Sequence, residues 1–401
     1  MTPELTEIEV ARALVLERTT SMPSERVELG AALGRILAED VTSADPVPGF
    51  DSSAMDGYAI RAADTDRGAA SLAVVGESRA GHPAARALNA GEAIAISTGA
   101  VVPEGADAVV RVEDTDAGAS TVGVQVRVDV GRDIRRAGED IRAGETVIAA
   151  GTGLGPAELG VLASVGRGDV ACAVRPRVTV LTTGDELQEP GEPLRPGAIR
   201  NSNAYSVAAL VERAGAELVV AEIVRDDRDL TRTALERALD GELTVVSGGV
   251  SVGEHDHVRP ALAALRVEQV FWGVALRPGK PTYFGVHPPA SLVFGLPGNP
   301  VSAIVTFTLF VRPAILRMLG AEERPARATA ILDEDYKKVP GRAHLVRCRL
   351  ELADDGWHAR PTKDQGSHVL TSMLGADALA IVPTESGPVS AGRRVEIELL
   401  P

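Results

Sequence analysis

Apolar positions recur at different periods along this chain, and the places where the period changes divide it. Residues 6–17 put Ile8, Ala11, Leu14 and Val15 at helical spacing, which predicts a first helix. After the break at Pro23 a short second helix is expected over about 28–38. The stretch 45–57, DPVPGFDSSAMDG, is punctuated by proline and glycine and ends the helical period. From about 58 to 130 short β-like runs follow, SLAVVGES, EAIAIST, DAVVRVED and VGVQVRVDV, separated by turns. Residues 131–150 return to mixed polar sequence, and 156–164 read as a helix with proline at an early position.

From Pro176 strands and helices alternate. Strands are expected at 177–183, 218–224, 243–247, 270–276, 282–286 and 291–296. Helices are expected at 203–214, 230–239, near 258–265, and over a long stretch at about 300–319. Such alternation predicts a mainly parallel sheet with helices on both faces. Beyond the ERPAR segment near Pro325 the helical period disappears. There AILDEDYKKV, HLVRCRLEL, HARPTK, ALAIVP and RRVEIELL are spaced like a small antiparallel barrel or sandwich. The expected fold class is α/β plus β, multidomain. A helical bridging region is discontinuous at 1–44 and 131–175, and a β-rich domain is inserted at 45–130. A doubly wound, mostly parallel α/β domain occupies 176–322, and a small β-barrel 323–401.

Composition narrows the function classes. At 401 residues the chain is too long for one core. Aromatic residues make up 3%, so the cores must be built from Val, Leu, Ile and Ala. The net charge of −15 argues against nucleic acid or a membrane surface as partner, while leaving room for a local basic pocket. The apolar run 303–311 is far shorter than the roughly 20 residues of a bilayer span. The N-terminus, MTPELTEIEVARALVLERTT, has early acids and no cationic segment, unlike a secretory signal. Cys172 and Cys348 have no paired spacing, so neither a disulfide framework nor a thiolate zinc site is expected. The cytoplasm is the expected compartment.

Parallel α/β sheets bind ligands outside the carboxyl ends of their strands, and four loops expected there have unusual composition. In Thr182-Thr183-Gly184-Asp185-Glu186-Leu187, hydroxyls and a glycine suit an anion, and the two acids suit a metal or a ribose hydroxyl; a capped βα turn would use the same residues. In Ser247-Gly248-Gly249-Val250-Ser251-Val252-Gly253, adjacent glycines let backbone N–H groups converge on phosphate, with Ser247 and Ser251 as further donors. Glu254 and Asp256 beyond it can hold a divalent cation; His255 and His257, two apart, are a weak transition-metal signal. In Arg277-Pro278-Gly279-Lys280-Pro281, two cations on a proline-stiffened turn make an oxyanion clamp, though a solvated turn accepts the same residues. In Gly295-Leu296-Pro297-Gly298-Asn299-Pro300, Pro300 suits the first helical position, Asn299 can cap, and the free N–H groups behind favour an anion.

These segments also form an ordered set. SAMDGYA (53–59), STGAVVPEGADAVV (97–110), TTGDEL, SGGVSVGEHD, RPGKP, GLPGNPVSA and QGSHVLTSM (365–373) together resemble the bacterial molybdopterin molybdenumtransferases, similar to the E domain of gephyrin. The resemblance covers essentially the whole chain. It implies insertion of molybdate into adenylylated molybdopterin, with release of AMP, formation of molybdenum cofactor and assistance by Mg²⁺. It further implies a homodimer in which domains of both subunits build each cleft, and contact with the molybdopterin adenylyltransferase. Residue by residue, Ser251, Asp256, Arg277, Lys280, Pro281, Arg342 and Ser367 resemble the molybdate-binding set. Asp56, Thr98, Asp140, Glu186 and Asp226 (or Asp227) resemble catalytic positions, with Glu186 and Asp56 as Mg²⁺ ligands. Arg135, Thr183, Gly184, Asp185, Ser247, Gly248, Gly249, Ser251, Pro297, Gly298, Asn299 and Pro300 fall to substrate binding. The family usually has lysine where this chain has Arg277, which keeps the charge and changes the donor geometry. Two rival readings are the ATP-dependent adenylyltransferase reaction and a non-enzymatic scaffold. The MDGYA segment and the C-terminal barrel oppose the first, and the intact acids oppose the second.

Overall fold

The alternating stretch after Pro176 folds into a six-stranded sheet. Its order is Glu217–Val224, Arg177–Thr183, Leu243–Ser247, Ser291–Leu296, Tyr283–His287, Glu268–Trp272. The first four strands are parallel. Tyr283–His287 runs antiparallel to both its neighbours, so Glu268–Trp272 points the same way as the first four. Side chains alternate between two cores, as the pleat requires. Val178, Val180, Val245 and Phe294 face one core, shared with Val207 and Val211 of the helix Ser202–Arg213. Leu181, Val246 and Val293 face the other, shared with Leu235 of Arg228–Ala238 and Leu262 of Val258–Ala264. Burial on both faces explains why these strands read as near-continuous apolar runs. The structure is a computed structural model and describes residues 5–250, 256–321, 327–338, 340–362 and 364–400.

The helix spanning Pro300–Met318 is long and apolar enough to cross a membrane, but 78% of its apolar window is buried inside the protein. Its Val301, Val305, Phe310 and Ile315 fill the first core, together with Ile8, Ala11 and Val15 of the N-terminal helix Ile8–Glu17. That first helix therefore packs with the α/β core, although the sequence pattern groups it with the bridging segments.

The helix expected over 28–38 does not form. A strand, Ser24–Glu28, pairs antiparallel with Asp169–Ala173, and a single 3₁₀ turn at Leu29–Ala31 follows. Gly34 then takes a left-handed φ of 73°, which stops helical propagation, and Leu37 bridges to Cys172. Val27, Leu37, Leu162, Val170 and Cys172 share a small core of their own. Between these segments a five-stranded sheet runs in the order Ala108–Arg111, Gly57–Ile60, Glu92–Ile96, Ala70–Ser78, Thr121–Val124.

The C-terminal sheet is ordered Ala343–Ala353, Gly356–Pro361, Arg327–Leu332, Arg394–Leu399, Ala378–Val382, and the last strand pairs back onto the first. It is a closed small barrel without a free edge. The strand expected at 270–276 is divided. Glu268–Trp272 stays in the α/β sheet, while Leu276–Arg277 leaves it and pairs with Ala343 and His344 of the barrel.

Candidate active site

The described residues of all four loops singled out in the sequence lie at one end of the α/β sheet. Three follow parallel strands, and the turn 277–281 connects Glu268–Trp272 to the antiparallel strand after it. They line a cleft of about 830 Å³ whose opposite wall is Arg342, Gln365 and Ser367 from the barrel. The cleft continues into a recess of about 290 Å³ bordered by Gly184, Gly248, Gly249, Asp226 and Asp256. Thr183, Glu186, Pro281, Pro297 and Gly298 border both.

The glycine turn has no room for side chains. Gly248 and Gly249 have φ of 98° and 61°, and a Cβ on Gly249 would lie 2.8 Å from both Thr183 Oγ1 and Val258 Cγ2. Bare backbone therefore faces the recess, the arrangement in which N–H groups approach phosphate. Ser247 beside it is not a free donor. Its hydroxyl donates to the Pro297 carbonyl at 3.3 Å and accepts from Asn203 Nδ2 at 2.9 Å, in a residue 2% exposed. Ser247 ties two loops together rather than reaching for a ligand.

The helix start at Pro300 is likewise partly occupied. Asn299 does not cap it; its Nδ2 donates to Ser367 Oγ at 2.9 Å, and the Val301 N–H donates to the Ser367 carbonyl at 3.2 Å. The barrel loop thus closes over one helix N–H, and Ser367 is fixed at the cleft edge with its own hydroxyl hydrogen still available.

Arg277 and Lys280 from the clamp and Arg342 from the barrel line the cleft, and none of them is in an ion pair among the described residues. Behind Arg277 lies His344, buried, with Nδ1 3.1 Å from the Tyr336 hydroxyl. Burial, then the charges of Arg277, Lys338 and Arg342, push the His344 pKa down to about 4, so the ring is neutral at pH 7. The loop that carries Ser367 is held by Arg347, which is 1% exposed. Its guanidinium donates to the carbonyls of Asp364 and Gly366 at 3.0 and 3.1 Å and to Ser372 Oγ at 3.1 Å. Gln365 pairs with the backbone of the same arginine through two bonds.

Acidic groups collect on the recess side. Asp185 and Asp226 exchange bonds, each backbone N–H donating to the other's carboxylate at 3.3 Å. Asp227 caps the next helix by accepting from the N–H groups of Asp229 and Leu230. Asp226 is therefore the one of this pair that borders the recess, with Glu186 and Asp256. Among the described residues no three metal-ligating side chains converge closely enough to form a ready-made metal site.

Family models match in the same order along the chain. A MoeA N-terminal region (domain I and II) covers residues 6–166, a probable molybdopterin binding domain 179–317, and a MoeA C-terminal region (domain IV) 329–400. A molybdopterin molybdenumtransferase of Haemophilus influenzae is 37% identical, over 98% of this chain and 98% of its own length. Molybdopterin molybdenumtransferase 2 of Mycobacterium tuberculosis is 36% identical, over 92% of this chain and 94% of its own. The chain belongs to the MoeA family of molybdopterin molybdenumtransferases. A crystal structure of the molybdopterin biosynthesis MoeA protein from Pyrococcus horikoshii superposes with a TM-score of 0.86 at 32% identity, covering 99% of this chain and 100% of that one.

Other candidate positions in this MoeA-family chain stand apart from the cleft. Asp56 accepts from the Thr98 N–H at 2.7 Å and from its hydroxyl at 3.1 Å. Arg135 pairs through its backbone with Ser52, and the Asp140 N–H donates to the Val47 carbonyl. None of these four borders the cleft or the recess within one chain, so Asp56 and Glu186 do not meet there. Ser251, with Glu254 and His255, lies outside the described residues. Sequence reasoning missed Asn203, His344, Arg347 and Gln365. Asn203 had a signal, the Asn-Ser-Asn triplet at a helix start. Arg347 had a weaker one, a charge directly after the apolar run Leu345-Val346, on the strand face that alternates with the barrel core.

Proposed function

We propose that this chain inserts molybdate into adenylylated molybdopterin, releasing AMP and forming molybdenum cofactor with the help of Mg²⁺. The observation that carries this reading is the meeting, in one cleft, of a bare glycine turn and three cations from two domains that have no carboxylate partners among the described residues. The glycine turn suits the phosphates of the adduct, because its N–H groups can converge on oxygen without steric hindrance. The cations suit molybdate, a tetrahedral dianion whose removal from water requires opposing charge and several donors. Arg277, Lys280 and Arg342 supply the charge, and Ser367 a neutral donor. A proline directly after each of Arg277 and Lys280 limits the entropy lost on binding.

The acids that border the recess fit Mg²⁺ of the kind held by one or two carboxylates together with substrate phosphates rather than by an all-protein cage. Glu186 and Asp226 would hold it, with Asp256 beside them; when bound, the ion polarises the scissile phosphoanhydride and offsets charge developing on its oxygens. The distance of Asp56, Thr98, Arg135 and Asp140 from the cleft supports a homodimer in which the N-terminal half of a second copy completes the site. Contact with the adenylyltransferase that makes the adduct, in the cytoplasm, belongs to the same reading. The test is AMP release from adenylylated molybdopterin by the purified protein. Release that depends on molybdate and Mg²⁺ supports the proposal; consumption of ATP instead, or no release, refutes it.

A further inference from the structure

The phosphates and the oxyanion have partners in the cleft just described, but two buried polar atoms of residues that line it have none. Thr183 Oγ1 and Asn203 Oδ1 are buried and make no hydrogen bond in the structure as described. Their residues are 8% and 9% exposed, and both border the cleft. A buried polar atom without a partner destabilises a fold, so such atoms concentrate where a ligand supplies what the protein lacks.

The orientation of Asn203 follows from its surroundings. Its Nδ2 donates to Ser247 Oγ at 2.9 Å and to the Gly298 carbonyl at 2.7 Å. Rotating the amide by half a turn would set its oxygen against the Gly298 carbonyl oxygen, acceptor against acceptor. The unpartnered atom is therefore a carbonyl oxygen, which only accepts. An oxyanion cannot satisfy it, since lone pairs would face lone pairs. Thr183 is different, because a hydroxyl donates or accepts. It lies against the glycine turn, where a Cβ on either Gly248 or Gly249 would come within 2.8 Å of Oγ1.

We infer that Asn203 is a specificity-determining residue: its carboxamide oxygen accepts a hydrogen bond from a neutral donor on the organic part of the substrate, a ribose hydroxyl or a ring N–H, while Thr183 donates to the adjoining phosphate. This rests on the function proposed above, because it takes the adenylylated pterin as the ligand. The pair makes this part of the cleft a filter. Bare phosphate, sulfate or molybdate would leave Asn203 unmatched, whereas the organic adduct satisfies both atoms at once. Discrimination by a site that is left with an unpaired buried group is stronger than discrimination by shape.

The experiment uses the full chain with Thr183→Val and Asn203→Ser, and calorimetry with four probes offered separately: adenylylated molybdopterin, AMP, molybdopterin and molybdate. Thr183→Val removes no bond within the protein and keeps a β-branched residue in its strand, so it should melt at or above the wild-type temperature. It should bind the adduct at least tenfold more weakly. Asn203→Ser should lose at least tenfold in adduct affinity with its molybdate affinity unchanged. A loss confined to AMP assigns the donor to the nucleoside, and one confined to molybdopterin assigns it to the pterin. The inference is overturned if Asn203→Ser binds the adduct like the wild type. It is equally overturned if that variant loses molybdate in the same proportion, which marks a purely structural role. Wild-type protein that binds no adduct refutes the proposed function and this inference with it, an outcome visible before any variant is made.

Discussion

On the recess side of the cleft, Thr183, Gly248 and Gly249 come together within one sheet, from the ends of two adjacent parallel strands. On the cationic side, Arg277 and Lys280 meet Arg342 and Ser367 across the boundary between that sheet and the barrel. The first wall depends on backbone conformation, on φ values of 98° and 61° and on the absence of Cβ atoms. The second depends on a few interdomain bonds: the pairing of Leu276–Arg277 with the barrel strand, and the contacts of Ser367 with Asn299 and Val301. The glycine turn therefore takes its shape from one domain alone. The cationic wall instead takes its shape from contacts between two domains.

The largest expected effect breaks the glycine turn alone. Gly249→Val should abolish measurable binding of the adenylylated pterin, because a branched side chain there meets Thr183 and Val258 at a left-handed φ. Some stability is lost as well, about 1–2 kcal/mol, so calorimetry is done where the variant is folded by circular dichroism. Retained adduct affinity would remove the phosphates from the recess. Lys280→Ala should break the other wall: truncating a charged partner in such a site costs about 2–5 kcal/mol. The molybdate requirement should rise well over tenfold with adduct affinity nearly constant. The opposite pattern, molybdate unaffected and the nucleotide lost, would assign the clamp to the phosphates.

A third effect concerns the support behind Arg277. His344 has a folded pKa of about 4 against 6.5 in a free chain, so the unfolded chain takes up its proton first. The stability held by the neutral ring is therefore present above about pH 6.5 and is lost as pH falls toward about 4, roughly 2 kcal/mol after allowance for screening by nearby solvent. His344→Gln should flatten denaturation midpoints measured by urea titration across that window. An unchanged slope would show that His344 does not titrate in this way. The smallest effect sharpens the recess. Glu186→Gln should slow AMP release about tenfold, roughly 1.4 kcal/mol, without unfolding the chain. Normal turnover at saturating Mg²⁺ would count against Glu186 as a ligand.

Most of the α/β region was legible because its signals are local. The strands at 177–183, 243–247 and 291–296 lie where periodicity puts them, as does the helix at 156–164 in the bridging segment. Residues 28–38 were misread because the pairing that decides their conformation lies at Asp169–Ala173, roughly 140 positions further along the chain. The division of 270–276 has the same cause: Leu276 looks like the end of its strand until the barrel offers it another partner.

By itself, the sequence determined the element types in the α/β region, the glycine turn, the proline-stiffened cations and the ordered motifs that mark the family. Each of these is a property of neighbouring residues, through backbone entropy, side-chain period or fixed φ. The tertiary structure decided which polar groups are committed and which are free. Ser247 and Asn299 look in the sequence like a donor and a cap for a ligand or a helix, yet they bind Pro297 and Ser367. Asn203 looks like a helix-start residue, yet it lines the cleft and keeps a buried amide oxygen without a partner. Hydrogen-bonding capacity belongs to each residue type, but whether it is already used depends on partners that only folding brings within 3 Å or so.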